Sequence, residues 1–202
     1  MLHQHPGGIA LTKRVIDYCA FFPGAKVIDV GCGTGVTVEY LCDTAGLQAV
    51  GVDLSRARLE EGKKRSPGLP VLQAAGEDLP FADACFEGGI AECSLSVMQD
   101  PAKVLAEFSR VLVLGGKLAI TDIYVPDSEN TSGFFYRRQL QKMLAEAGFT
   151  VITWEDQSAC LREFVASYIM ADGDRQELWQ CVSAGTKAGY FLLVAEKLQR
   201  EG

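Results

Sequence analysis

Short apolar runs alternate along the chain with segments in which apolar residues recur at helical spacing. The runs cover residues 27–30, 48–53, 71–74, 85–91 and 118–124. Apolar runs of this length are typical of parallel strands that are buried on both faces. The segments between them, at 36–42, 55–63 and 101–112, carry the spacing of amphipathic helices. The alternation predicts an α/β fold around a parallel sheet.

The N-terminal part of the chain carries a helical pattern outside this core. Apolar residues recur loosely between positions 9 and 20, after Pro6 and two glycines. The pattern predicts a helix, and we expect residues 1–25 to form a helical cap on the core.

The C-terminal part predicts one more helix and a pair of strands. The helix includes Phe134 and Phe135, and the strands cover 150–154 and 189–197. Residues 158–186, between those strands, predict two inserted helices, the second beginning near Leu178 and Trp179. We expect the insertion to serve either as a substrate lid or as cover for the sheet edge. The length of 202 residues favours a single domain, residues 1–202.

A glycine-rich segment follows the first predicted strand. Asp29 precedes three glycines at alternate positions, Gly31, Gly33 and Gly35. Glycines let the backbone turn sharply and let a ligand approach the main chain. The dinucleotide-binding fingerprint has its third glycine one position later, where this chain has Val36. The spacing therefore argues against a nicotinamide cofactor.

A second acidic residue, Asp53, ends the next predicted strand. The carboxyl ends of parallel strands meet at one edge of a sheet, so Asp53 should face the same crevice as the glycine segment. A carboxylate at that place can accept bonds from two ribose hydroxyls. The pair of features predicts a nucleoside-containing ligand.

The pattern from Asp29 to Gly35, together with Asp53, resembles the class I S-adenosylmethionine-dependent methyltransferases. The resemblance implies a Rossmann-like α/β fold with a seven-stranded, mostly parallel sheet, an antiparallel last strand and helices on both faces. It also implies S-adenosylmethionine as the cofactor. The glycine segment would pass under its methionine part, and Asp53 would hold its ribose. The cofactor-binding positions implied here are Asp29, Gly31, Cys32, Gly33, Gly35, Asp53 and Leu54.

Residues 74–87 also resemble that family, with one departure. The family has an acidic residue after the third strand that accepts a bond from the adenine amino group, and here that position is Ala75. An alanine side chain accepts no hydrogen bond. Either Glu77 or Asp78 substitutes, with the main chain of Gly76 and Glu77 nearby, or the adenine is held less specifically.

Glu92 is the candidate catalytic residue, because the fourth predicted strand delivers it to the rim of the crevice. Methyl transfer from a sulfonium is an in-line displacement, so a dedicated acid or base is optional. Glu92 is able to remove a proton from a hydroxyl or protonated amine, or to orient the methionine end of the cofactor. His3 and His5 are weaker candidates for the same role.

Three functions remain open at this stage. The first is methylation of a small molecule, by an enzyme similar to the ubiquinone and menaquinone biosynthesis methyltransferases. The second is a cofactor-binding regulatory or partner protein without catalysis, favoured by Ala75 and by the adjacent glycines at 88 and 89. The third is arsenite methylation, because the stretch around Cys93 resembles arsenite methyltransferases, in which a cysteine at this place is a metalloid ligand. The loop at 126–133 carries no further cysteine, and Cys93 is more simply interpreted as a small buried apolar residue.

Composition and charge limit the classes of molecule that we expect the protein to bind. The net charge is −7, with no basic cluster larger than residues 63–65, which argues against a nucleic acid substrate. Seven scattered cysteines predict reduced thiols rather than disulfides or a metal site. No apolar run has the length of a membrane span, and the first residues do not resemble a secretory signal, so we expect a cytoplasmic protein. The sequence names neither the methyl acceptor nor the oligomeric state.

Overall fold

The structure, a computed structural model, describes residues 5–125, 135–172 and 188–198. The helices are α1 (Gly8–Cys19), α2 (Val36–Asp43), α3 (Arg56–Arg65), α4 (Pro101–Val111), α5 (Arg137–Glu146) and α6 (Ser158–Asp172), with a short 3-10 turn at Leu95–Val97. The strands are β1 (Lys26–Val30), β2 (Gln48–Asp53), β3 (Val71–Gln73), β4 (Phe86–Glu92), β5 (Leu112–Val125), β6 (Phe135–Tyr136), β7 (Phe149–Asp156) and β8 (Gly189–Lys197).

One mixed sheet contains all of these strands, in the order β3-β2-β1-β4-β5-β8-β7, with β6 beside β5. The pairs from β3 to β5 are parallel, whereas β8 is antiparallel to both β5 and β7. The predicted parallel sheet with an antiparallel last strand is therefore confirmed. The order reverses between β1 and β4, which opens a crevice at the carboxyl ends of these strands.

Helices cover both faces of the sheet, as expected. Leu11 of α1, Val38 of α2 and Leu161 of α6 belong to one buried cluster, and Phe108 of α4 and Leu140 of α5 belong to the other. Successive strand residues point to opposite faces, so the fully buried strands feed both clusters.

The predicted seven strands gain an eighth, β6, and the helix prediction that included Phe135 is wrong. Phe135 pairs with Tyr124 in a two-residue parallel strand, and α5 begins only at Arg137. The aromatic ring of Phe135 is buried in the core, a position that suits a strand. Phe134 lies outside the described residues.

The expected helix 101–112 ends one residue early. Leu112 already pairs with Phe86, and the register then shifts so that Lys117 pairs with Gly88. The residues between these two pairs form an irregular part of β5, in which Gly115 has a φ of +75°.

The adjacent glycines of β4 have a packing explanation. A Cβ on Gly88 would lie 2.2 Å from the ring of Phe21, and one on Gly89 would lie 2.7 Å from the ring of Phe108. An aromatic side chain therefore occupies the space beside each glycine, one on each face of the strand. These glycines therefore give no support to a loss of catalysis.

The helices predicted in the N-terminal and C-terminal parts of the chain form in part. Helix α1 forms where expected and packs on β5, β8 and α2. Helix α6 is the first of the two helices expected at 158–186, while the second, with Leu178 and Trp179, lies outside the described residues. Among the helices that the structure describes, none has the length and apolar character needed to cross a membrane. The lid role and the single-domain assignment remain predictions.

Candidate functional site

Two adjoining cavities lie at the carboxyl ends of the central strands. The inner cavity has a volume of about 250 Å³, and its walls include Asp29, Gly33 and Glu92. The outer cavity has a volume of about 880 Å³, and its walls include Asp53 and Ala75. Gly31, Arg58 and Cys93 line both. An elongated ligand can therefore extend from one cavity into the other past the glycine segment.

Gly31, the first glycine of the segment, packs closely against Ser94. Its φ is +81°, and a Cβ there would lie 2.4 Å from the Cβ of Ser94. The hydroxyl of Ser94 donates to the carbonyl of Val30 at 2.8 Å, which ties the end of β4 to the end of β1. Only glycine fits both the backbone conformation and the space.

Asp53 is fixed by the main chain around it. Its two carboxylate oxygens accept hydrogen bonds from the backbone nitrogens of Gly33, at 2.8 Å, and Ser55, at 2.7 Å. A carboxylate oxygen has room for a second donor. Asp53 is thus oriented in the wall of the outer cavity and retains acceptor capacity for a ligand's hydroxyl groups.

Asp29 is buried without such support. It is only 2% exposed, and no hydrogen bond reaches its carboxylate from the part of the chain that the structure describes. Burial, with the charges of Glu92 and Asp53, raises the pKa of Asp29 well above its ordinary value. A buried carboxylate with no partner is costly. A cation in the inner cavity would offset that cost.

Glu92 has the opposite environment, because several donors converge on its carboxylate. The hydroxyl of Thr12 lies 3.0 and 3.2 Å from its two oxygens, and the hydroxyl of Thr37 lies 2.7 Å from Oε2. Nε2 of His5 lies 3.4 Å from the same Oε2. Glu92 is therefore held in place, and it connects the start of the chain to α2.

The outer cavity combines apolar walls with polar main-chain groups. Leu54 is 63% exposed and Val97 is 82% exposed, and both line the cavity. Large apolar side chains in such a setting suit a flat aromatic ring. The carboxylate of Glu77 accepts bonds from the backbone nitrogens of Gln99 and Asp100, whereas the exposed Asp78 also lines the cavity.

Residues 28–120 match a family model described as a methyltransferase domain. A demethylmenaquinone methyltransferase from Corynebacterium urealyticum is 32% identical, and the match covers 88% of this chain and 78% of that protein. The chain belongs to the class I S-adenosylmethionine-dependent methyltransferases. An O-methyltransferase, resE, from Aspergillus sclerotiorum is 36% identical over 72% of this chain. The match spans 62% of that methyltransferase's own length.

Solved structures agree with this family fold. A geranyl diphosphate methyltransferase in complex with S-adenosylmethionine has a TM-score of 0.83, with 20% identity over 94% of this chain and 85% of that one. The [4+2]-cyclase SpnF has a TM-score of 0.76, with 25% identity over 94% of this chain and 80% of that one. The fold alone therefore does not fix the reaction, which has to be argued from the site.

Most of the predicted methyltransferase site residues meet in these cavities. The inner cavity is lined by Asp29, Gly31, Cys32, Gly33 and Glu92, and the outer cavity by Gly31, Asp53, Leu54, Ala75, Gly76 and Glu77. Gly35 is the exception. It lines neither cavity and caps the start of α2, where a Cβ would lie 2.6 Å from Leu69.

Sequence reasoning missed the threonines of the methyltransferase site. Thr37 follows the glycine segment in α2, and Thr12 lies in α1, far away along the chain. Thr12 carried a usable signal, since it is a polar residue beside Leu11 on the apolar face of the predicted helix. His5 was only a weak candidate and proves to be buried beside Glu92, while His3 lies outside the described residues.

The cysteines give little support to metalloid chemistry. Cys32 and Cys93 both line the inner cavity. Burial, together with the charges of Asp29 and Asp53, raises the pKa of Cys32 far above its ordinary value, which keeps its thiol protonated. Metalloid ligation requires the thiolate. Cys93 has a φ of +52°, and its backbone nitrogen donates to the carbonyl of Thr121.

Proposed function

We propose that this protein binds S-adenosylmethionine and transfers its methyl group to a small molecule. The observation that carries the proposal is the pair of joined cavities. The inner one has Asp29, a buried carboxylate that no hydrogen bond reaches from the described residues, and the outer one has Asp53 together with exposed apolar side chains.

The residues of the two cavities suit the parts of this cofactor. Asp29 would receive its ammonium group in the inner cavity, and Asp53 would accept bonds from its ribose hydroxyls. Leu54 and Val97 would enclose its adenine ring, and the exposed Asp78 is the side chain available to the adenine amino group in place of Ala75.

The electrostatics of the inner cavity favour this cofactor over a nicotinamide dinucleotide. Asp29 and Glu92 line the cavity, and the charge of Glu92 raises the pKa of Asp29. A ligand with a positively charged end is attracted by these two carboxylates, which outnumber the guanidinium of Arg58 in the lining of the same cavity. This charge balance agrees with the conclusion drawn from the glycine spacing.

The bound cofactor supplies an activated methyl group on a positively charged sulfur. In the transfer, a bond would form between the acceptor atom and the methyl carbon while the carbon–sulfur bond breaks with its electron pair remaining on sulfur, and an acceptor that carries a proton would release it to solvent. Because the leaving thioether needs no proton, the residues around the site contribute mainly by holding the reactants in line. Both oxygens of Glu92 already accept bonds from threonine hydroxyls, which favours an orienting role over that of general base.

The test is transfer of a tritiated methyl group to a panel of phenols, quinols, amines and carboxylic acids. We expect labelled product with at least one class, and loss of that product in Asp53→Ala. The control is Glu146→Gln on the exposed face of α5, which should keep full activity. A wild-type protein that binds the cofactor but labels no acceptor would favour the regulatory alternative. The cytoplasmic location and the exclusion of nucleic acid remain predictions from the sequence.

A further inference from the structure

The lining of the inner cavity contains a guanidinium group as well as carboxylates. Among the described residues, Arg58 of α3 is the one Lys or Arg side chain that lines this cavity, together with Asp29 and Glu92. Arg58 lines the outer cavity as well. His5 also lines the inner cavity, but its Nε2 already lies 3.4 Å from Glu92. A negatively charged part of a ligand in the inner cavity therefore has Arg58 as its cationic partner.

The guanidinium of Arg58 is not taken up by a protein carboxylate. Asp29, Asp53 and Glu92 line the same cavities, yet no hydrogen bond or ion pair joins the Arg58 side chain to a residue in the described part of the chain. Its backbone nitrogen donates to Oγ of Ser55 at 3.4 Å, and its side chain is exposed. The guanidinium donors are therefore available to a ligand that enters from solvent.

The place of Arg58 follows from the packing of α3 on the glycine segment. Positions 58, 62 and 65 lie on one face of this helix. A Cβ on Gly62 would lie 2.2 Å from the carbonyl oxygen of Thr34, so only glycine lets the helix approach the segment this closely. Nη2 of Arg65 donates to the same carbonyl at 3.0 Å, and its Nε donates to Glu39 of α2 at 2.9 Å. Because Thr34 lines the inner cavity, this face of α3 brings Arg58 beside it.

The charges of the inner cavity determine how an amino-acid end would lie in it. An ammonium group is attracted by Asp29 and Glu92, whereas a carboxylate is repelled by them. A guanidinium binds a carboxylate through two parallel hydrogen bonds. The ammonium group should therefore lie toward Asp29 and the carboxylate toward Arg58.

We propose that Arg58 binds the carboxylate at the methionine end of S-adenosylmethionine and so selects ligands with a complete amino-acid end. This assignment rests on the proposed function, because it takes S-adenosylmethionine as the ligand of the two cavities. Asp29 and Asp53 account for the ammonium group and the ribose, and Arg58 accounts for the remaining charged group of the cofactor. It is thus a specificity-determining residue that acts on one functional group.

Two ligands that differ only in this carboxylate provide the test. Decarboxylated S-adenosylmethionine lacks the carboxylate but keeps the ammonium, the sulfonium and the adenosine. In titration calorimetry, we expect wild type to bind S-adenosylmethionine about tenfold more tightly than the decarboxylated ligand. Arg58→Met should weaken binding of S-adenosylmethionine about tenfold, because a hydrogen-bonded charge partner is lost, and should change binding of the decarboxylated ligand less than about twofold.

Arg56→Met is the matched control. Arg56 is exposed at the start of the same helix and lines neither cavity, so this variant removes an equal charge from α3 away from the site. It should leave both affinities within about twofold of wild type, since solvent and salt screen an exposed charge. Arg58→Lys keeps the charge but not the forked pair of donors, so it should weaken binding of S-adenosylmethionine less than Arg58→Met does.

Equal weakening of both ligands by Arg58→Met would overturn the assignment, as would an equal loss in Arg56→Met. Unchanged binding of S-adenosylmethionine by Arg58→Met would also overturn it, and would mean that the guanidinium serves another anion, such as an acidic methyl acceptor. If Arg58→Met does not fold, as checked by circular dichroism, Arg58→Gln is held to the same outcomes. Failure of folded wild type to bind either ligand would instead overturn the proposed function, and this assignment with it.

Discussion

At the scale of single residues, Asp29 and Asp53 show how partners decide what a buried carboxylate does. Asp53 ends β2, Asp29 is the next-to-last residue of the neighbouring β1, and both are almost fully buried. Asp53 is held by two backbone nitrogens, whereas no hydrogen bond from the described chain reaches Asp29. The two aspartates should therefore respond in opposite ways to the same conservative substitution.

Asp29→Asn should stabilise the protein without ligand by about 1–3 kcal/mol at pH 7, because it removes a buried charge that has no partner. The pKa of Asp29 is raised in the folded state, so the ionised form costs stability at pH 7. That cost should disappear as the pH falls below the ordinary aspartate value of about 3.9. Urea unfolding of wild type and variant between pH 3 and pH 7 measures the difference.

The contrasting variant is Asp53→Asn, which replaces an acceptor of two backbone bonds. It should lower the free energy of unfolding by about 1–2 kcal/mol.

Asp29→Asn should also lose most of the thermal stabilisation that S-adenosylmethionine gives to wild type. A variant at Asp29 that is less stable than wild type at pH 7 would show that this carboxylate has a partner in solution.

At the scale of elements, α4 fixes the loop that follows β3 through a pair of charged residues. Arg110 donates to the carbonyls of Leu79 and Phe81, and Glu107 accepts from the backbone nitrogen of Leu79 at 2.7 Å. Glu107 also bonds Arg110 at 2.8 Å. The loop leads from the outer cavity into β4, so this contact supports the wall formed by residues 74–78.

Glu107→Gln should cost about 1–2 kcal/mol of stability at pH 7, since it weakens bonds to a charged partner. The hydrogen bond with Arg110 holds the pKa of Glu107 below its ordinary value. A lowered pKa adds stability above the unfolded value, near 4.3, and that stability is lost as the pH falls through the folded value. Wild type and variant should therefore converge between about pH 5 and pH 3 in urea unfolding.

Glu146→Gln is the control for this prediction, because the Glu146 side chain is exposed on α5, where it pairs with the likewise exposed Lys142 at 3.7 Å. Exposed pairs contribute little, so this variant should match wild type within about 0.5 kcal/mol at every pH. A Glu107 variant that behaves like the Glu146 variant would mean that the loop is held by other contacts.

At the scale of the whole molecule, the sequence predicted the parallel part of the sheet because strands buried on both faces consist of nearly continuous apolar residues. It predicted the glycine segment because Gly31 needs a positive φ that few other residues adopt. It did not predict β6, since two residues carry no periodicity. It also left Gly88 and Gly89 unexplained, because the aromatic rings that fill their space come from distant parts of the chain.

The sequence likewise predicted some residues of the site and missed others. Asp29, Asp53 and the glycines follow from strand ends, which the local pattern marks. The partners of Glu92 do not follow from any local pattern. Thr12 lies 80 positions away along the chain, and only the packing of α1 brings its hydroxyl to Glu92. Of the two roles that the sequence leaves open for Glu92, removal of a proton and orientation of the cofactor, these neighbours favour the second.

Calorimetric titration with S-adenosylmethionine, S-adenosylhomocysteine and NAD, in wild type and Asp53→Ala, shows whether the two cavities bind the methyltransferase cofactor. We expect a dissociation constant of about 1–100 μM for the first two ligands in wild type. We expect no heat of binding with NAD, and at least tenfold weaker binding of the first two ligands in the variant, whose folding is checked by circular dichroism. Binding of NAD in preference to S-adenosylmethionine, or no binding of S-adenosylmethionine by folded wild type, would contradict this expectation.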